Sequence, residues 1–75
     1  MIKITMGDLS GRHEYIVDEN KTVAEVAEEN GVNLVVGSTN VNGAPLSFSE
    51  HNKTLAELGV KDGAYILSYP KAQGN

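Results

Sequence analysis

Ile2, Ile4 and Met6 alternate with Lys3 and Thr5, the period-2 pattern of a strand with one buried face. Gly7-Asp8-Leu9-Ser10-Gly11 then gathers turn formers, and beyond it His13, Tyr15 and Val17 alternate with Glu14 and Ile16. The pattern predicts a hairpin whose second strand turns Tyr15 and Val17 to the core. Asp18-Glu19-Asn20 breaks the alternation, and Thr22-Val23-Ala24-Glu25 is a capping box, in which Thr22 and Glu25 satisfy each other's free backbone N–H groups. A helix over residues 23–30 follows, with Val23, Val26 and Ala27 on one stripe, Glu25, Glu28 and Glu29 toward water, and Gly31 as the left-handed residue that ends it.

Leu34-Val35-Val36 is apolar and short, and the pattern leaves a buried loop and the start of a strand equally open. Asn42-Gly43 is a favoured pair for a tight hairpin turn, so residues 38–41 and 44–47 are expected to pair as strands, with Pro45 placing the second at a sheet margin. Ser49 to Asn52 reads as a polar connection. Thr54-Leu55-Ala56-Glu57 repeats the capping pattern, but Leu58-Gly59 stops it within one helical turn, with Leu55 and Leu58 inward. Lys61-Asp62-Gly63 makes a turn. Residues 64–69 form a last, near-continuously apolar strand, expected to be central in the sheet with Tyr65 and Leu67 on its core face. Residues 1–70 are thus expected to form one domain, and residues 71–75, which lack an apolar anchor, a flexible tail.

A chain of 75 residues has room for one core only. Without cysteine there is no disulfide framework, thiolate metal site or cysteine nucleophile. The net charge of -4, with Arg12 and five lysines scattered, opposes nucleic acid and anionic membrane partners. No apolar run approaches a membrane span, and the opening residues follow a strand pattern, so a cytoplasmic location is expected.

The order hairpin, helix, two short strands, one helical turn and a last strand resembles the ubiquitin-like β-grasp superfamily over essentially the whole chain. The segment Asn52-Lys53-Thr54-Leu55-Ala56-Glu57-Leu58-Gly59-Val60 is similar to the stretch before the last strand of ubiquitin. Val41-Asn42-Gly43 with Lys61-Asp62-Gly63 also resembles the sulfur-carrier branch, which serves thiamine and molybdopterin synthesis. The resemblance implies an α+β fold with a mixed four- to five-stranded sheet packed on one helix. It implies a non-enzymatic protein–protein adaptor that uses no cofactor and binds through its exposed sheet face or by strand addition at an edge; a bacterial or phage origin is expected. In ubiquitin an apolar patch on the outer sheet face is recognised by partners. The corresponding residues here are Leu9 in the first turn and Ile66 in the last strand, with Asn40 in the third-strand place and Tyr69 extending the patch or completing the core. Phe48 carries the same two readings.

The alternative implied function is a modifier or sulfur carrier activated through its C-terminus by an adenylating enzyme. Members of that kind end in two glycines, whereas Gln73-Gly74-Asn75 would offer Gly74 only after processing. Other chemistry finds no support in the sequence. His13 and His51 are read as unrelated surface or strand-end histidines, the serines lack a nucleophile-elbow context, and Gly7 and Gly11 bracket a hairpin without a phosphate loop's lysine. No catalytic and no metal residue is assigned.

Overall fold

A computed structural model describes residues 1–69. The strands are β1 (Ile2–Asp8), β2 (Gly11–Val17), β3 (Thr39–Val41), β4 (Ala44–Pro45) and β5 (Tyr65–Ser68), and the helix α1 is Val23–Glu29. They form a five-stranded sheet in the order β2-β1-β5-β3-β4, with β5 parallel to β1 and every other pair antiparallel. Helix α1 lays Val23, Val26 and Ala27 on a core made by Ile4, Met6, Val17, Leu46, Leu55, Val60, Ala64 and Ile66. The α+β architecture and the central place of the last strand are as the sequence predicts.

The segments that start with Asn20-Lys21-Thr22 and Asn52-Lys53-Thr54 are realised as one device used twice. Thr22 Oγ1 accepts the Glu25 N–H at 3.1 Å while Glu25 Oε1 accepts the Thr22 N–H at 2.9 Å; for Thr54 and Glu57 the two distances are 3.0 and 2.8 Å. Both copies also stop alike. Gly31 (φ 69) donates to Glu28 O and Val32 to Ala27 O; Gly59 (φ 73) donates to Ala56 O and Val60 to Leu55 O. This is the double bond of a Schellman ending, which needs a left-handed residue where glycine has no Cβ penalty. The starts then lock together: Val23 N–H donates to Lys53 O at 3.2 Å and Leu55 N–H to Lys21 O at 3.0 Å, reciprocally about the Thr22–Thr54 bridge.

Backbone N–H donors hold the Glu25 and Glu57 carboxylates below their ordinary value of 4.5, chiefly through the Thr22 and Thr54 N–H groups. A carboxylate lowered on folding stabilises above its unfolded pKa, and that contribution is lost as pH falls through the lower folded value. The melting temperature is therefore expected to fall as pH drops below about 4.5. Glu25→Gln with Glu57→Gln should lower it at neutral pH but flatten the acid slope, since a neutral amide oxygen still accepts the bond. Thermal scans across pH check both.

Four features differ from the sequence reading. First, β5 faces the other way: Ile66 is 0 % exposed and Ser68 is buried, while Tyr65 is 51 % exposed and Leu67 half-buried. Register partners share a face, and Ile66 pairs with inward-facing Met6, so Ile66 must point in. Second, Ser49–Asn52 is a 3-10 turn rather than a plain connection, whereas the single turn expected from the Thr54 box is present. Ser47 and Glu50 are a third Ser/Thr-x-x-Glu pair: Glu50 Oε1 accepts both the N–H and the hydroxyl of Ser47 at 2.8 Å. Third, His51 on that turn is buried, and its Nε2 has no hydrogen-bond partner among the described residues. Fourth, Phe48 is exposed and does not complete the core.

Residues 33–36 form a loop, fastened by polar groups. Val35 N–H donates to Ser68 Oγ at 2.7 Å, and the buried Thr39 hydroxyl donates to Val35 O at 2.9 Å. Ser68 can therefore occupy an inward position of a central strand because its hydroxyl is used. Asn42 (φ 51) and Gly43 (φ 86) make the tight β3–β4 turn, and Asn42 Oδ1 also accepts the Tyr65 N–H at 2.9 Å.

Candidate functional site: the outer sheet face

Because Ile4 and Met6 point to the core, Lys3, Thr5 and Gly7 point away from it, and the registers extend that face across the sheet. One row runs Glu14–Thr5–Tyr65, and the next runs Arg12–Gly7–Leu67–Asn40–Pro45. Besides Tyr65 and Leu67 on β5, the apolar side chains of this face are Ile16 on β2, which pairs with Lys3 and is 67 % exposed, and Pro45 on β4. Leu9 and Tyr69 each lie two residues beyond the last β1–β5 pair, Gly7–Leu67, at the same end of the sheet. Leu9 is 74 % exposed and Tyr69 is 41 % exposed.

The turn that carries Leu9 is held from below by Asp8. Asp8 Oδ1 accepts the Ser10 N–H and Oδ2 the Asn33 N–H, each at 2.7 Å. The Asn33 bond is the largest cause that keeps the Asp8 carboxyl below its ordinary 3.8, with Ser10 next. One carboxylate thus fixes the β1–β2 turn to the α1–β3 loop, and Asp8, Leu9, Ser10, Asn33 and Val35 line a hollow of about 120 Å³ between them. At the opposite end, Asp62 Oδ1 accepts the Lys3 N–H at 2.7 Å, and Gly63 N–H donates to Lys3 O at 2.7 Å, which ties the start of β5 to β1.

Of the residues expected to form the patch, Leu9 and Tyr69 are at the surface and at one end of the sheet. Ile66 is not: it is a core residue, and Tyr65 and Leu67 occupy the outer positions of its strand. Sequence alternation missed those two because an apolar run gives no phase; the parallel pairing with β1 supplies it. Asn40 stands beside Leu67 in register and makes the third-strand part of the face polar. Gly74 and the tail lie outside the described residues.

The described residues do not bring the two histidines together on this face. His13 is exposed on β2 and His51 is buried on the 3-10 turn, so neither is brought to the other's element. Among the described residues no group of three or more histidines and carboxylates could hold a metal ion. A groove of about 210 Å³ beside β4, lined in part by Val41, Pro45, Leu46 and Leu58, carries a single titratable group, Glu50. No described helix is long and apolar enough to cross a membrane.

No protein-family model and no curated protein matches the sequence. Solved structures do. A ubiquitin-like protein from Trypanosoma brucei is 29% identical, with a TM-score of 0.62 over 95% of this chain and 95% of its own. The ubiquitin of Caldiarchaeum subterraneum is 25% identical, with a TM-score of 0.58 over 99% of this chain and 98% of its own. A ubiquitin-like protein from the same archaeon is 25% identical, with a TM-score of 0.55 over 97% of this chain and 100% of its own. Sheet order, capped helix and whole-chain similarity agree: this protein has the ubiquitin-like β-grasp fold.

Proposed function

We propose that the protein is a non-enzymatic adaptor that binds another protein through the outer face of its sheet. The observation that carries this reading is the exposure of Tyr65 on the outer face and of Leu9 and Tyr69 at one end of the sheet, in a domain this small. Aromatic residues are enriched at interface cores, and tyrosine joins a large apolar ring to a polar tip suited to a surface that is wet when free and dry when bound. Whole-chain similarity to ubiquitin-like proteins adds support, because that fold generally works by contact with other proteins.

The test is capture of a partner from the native host by the intact chain and by Leu9→Ser with Tyr69→Ser. The double variant is expected to keep its circular dichroism and melting temperature, since neither side chain belongs to the core, and to lose the captured protein. Undiminished capture would remove this face from the proposal. The similarity to a protein named ubiquitin keeps the modifier reading second, and the intact mass of the native protein separates the two: a chain trimmed to Gly74, a thiocarboxylate or an isopeptide-linked adduct belongs to the modifier alone.

A further inference from the structure

The two margins of the sheet are unlike. β4 is a two-residue strand that ends on Pro45, which has no N–H to offer, so that edge is closed to strand addition. β2 is seven residues long, contains no proline, and among the described residues has only β1 beside it. On β1, Thr5 N–H donates to Ala64 O and Lys3 O accepts from Gly63, so the odd-numbered residues of β1 bond toward β5. Ile4, Met6 and Asp8 therefore bond toward Tyr15, His13 and Gly11 of β2. The backbone groups of Arg12, Glu14 and Ile16 are left facing the open edge.

From this geometry we infer that β2 is a self-association edge whose occupant is the β2 strand of a second copy, paired antiparallel about a two-fold axis at His13. Two-fold pairing must bring together residues whose groups face outward, which allows a centre at any residue from Arg12 to Ile16; centring on Arg12 sets Arg12 against Arg12 of the second copy, and centring on Ile16 sets Glu14 against Asp18. Centring on Glu14 sets Glu14 against Glu14 of the second copy, and centring on Tyr15 sets Glu14 against Ile16. Centring on His13 sets Arg12 against Glu14 twice, each as a hydrogen-bonded pair on the outer face. Opposite charges directly across a strand pair stabilise it and like charges oppose it, so charge selects the His13 register.

That register also serves the inner face. His13 stacks edge-on to Tyr15 of its own chain, with ring centroids 6.4 Å apart, and is exposed in the single copy. In the pair, His13 meets its symmetry mate, Tyr15 lies diagonal to it, and Tyr15 stands opposite Gly11, where open space surrounds the missing Cβ. An aromatic ring over an edge glycine is a known means of repairing a sheet margin. The contact is smaller than a permanent interface, so the association is a weak one.

Sedimentation of the full chain at concentrations up to about 1 mM reads it out, because contacts of this size act in that range. The wild type is expected to form dimers. Arg12→Glu, which sets carboxylates opposite each other, should raise the dissociation constant about tenfold or more. Arg12→Glu with Glu14→Arg should restore dimers, because the pair is swapped in both halves. Circular dichroism verifies that each exposed-edge variant is folded. A filtered NOE between His13 Hα atoms in a mixed labelled and unlabelled sample should report the register. A wild type that stays monomeric, a dimer indifferent to Arg12→Glu, or a double swap that fails to restore it would each overturn the inference. In the monomeric case Arg12 and Glu14 act only as guards of a solitary edge.

Discussion

Ile66→Ala is expected to unfold a large share of the protein at room temperature, whereas Tyr65→Ala, one residue away, should leave the denaturation midpoint almost unchanged. Ile66 is fully enclosed and packs with Ile4, Met6, Val26 and Leu55 in one core, while half of Tyr65 is in water. Truncating an enclosed isoleucine to alanine costs roughly 2–5 kcal/mol, made of lost transfer energy and the cavity left behind. A single core of this size supplies only about 3–5 kcal/mol of net stability. The loss is thus comparable with the whole, and no comparable term applies to Tyr65. Urea denaturation of the two variants checks the pair, and equal losses would contradict the facing of β5.

Gly7→Val is the second substitution with a large expected effect, and it acts through backbone rather than core. Gly7 pairs with Arg12, and a Cβ on Gly7 would lie 2.4 Å from Arg12 Cβ, 2.7 Å from Arg12 Cα and 2.7 Å from Gly11 O. Two of those three atoms are main chain and cannot rotate away, so the hairpin must separate locally. Overpacking of this kind costs about 1–3 kcal/mol, or more when the backbone has to move. Gly7→Ala should already lower the denaturation midpoint, and Arg12→Gly in the same chain should recover only part of the loss, because the Arg12 Cα and Gly11 O contacts persist. Full recovery would show that the side chain alone makes the contact.

Much of this fold is legible in the sequence because its local signals are chemically explicit. The Thr22 and Thr54 boxes, the glycines that end both turns, and the Asn42-Gly43 turn each name a backbone conformation, and the structure adopts it. The alternation of Ile2, Ile4 and Met6 likewise sets the inner face of β1. What could not be read was phase where alternation is absent. In Tyr65-Ile66-Leu67 every residue is a strand former, and the polar residue that follows, Ser68, points inward because Val35 and Thr39 use its hydroxyl. That partnership joins residues 33 and 29 positions apart, beyond any local pattern. The same fact moved the candidate surface from Ile66 to Tyr65 and Leu67. His51 shows the converse: a polar residue on a turn reads as surface until the packing of that turn on α1 is known. The Ser47–Glu50 pair did carry a signal, since it repeats the spacing recognised at Thr22 and Thr54.

The role of the outer sheet face is tested most directly by photo-crosslinking in the native host, with a photoreactive residue placed singly at Leu9, Tyr69 or Phe48. All three positions are exposed, and only Leu9 and Tyr69 are assigned here to the partner-binding end of the sheet. The account predicts one shared higher-mass adduct from Leu9 and Tyr69, containing a second polypeptide, and none of that mass from Phe48. Equal adducts from all three positions, or none from Leu9 and Tyr69, would contradict it.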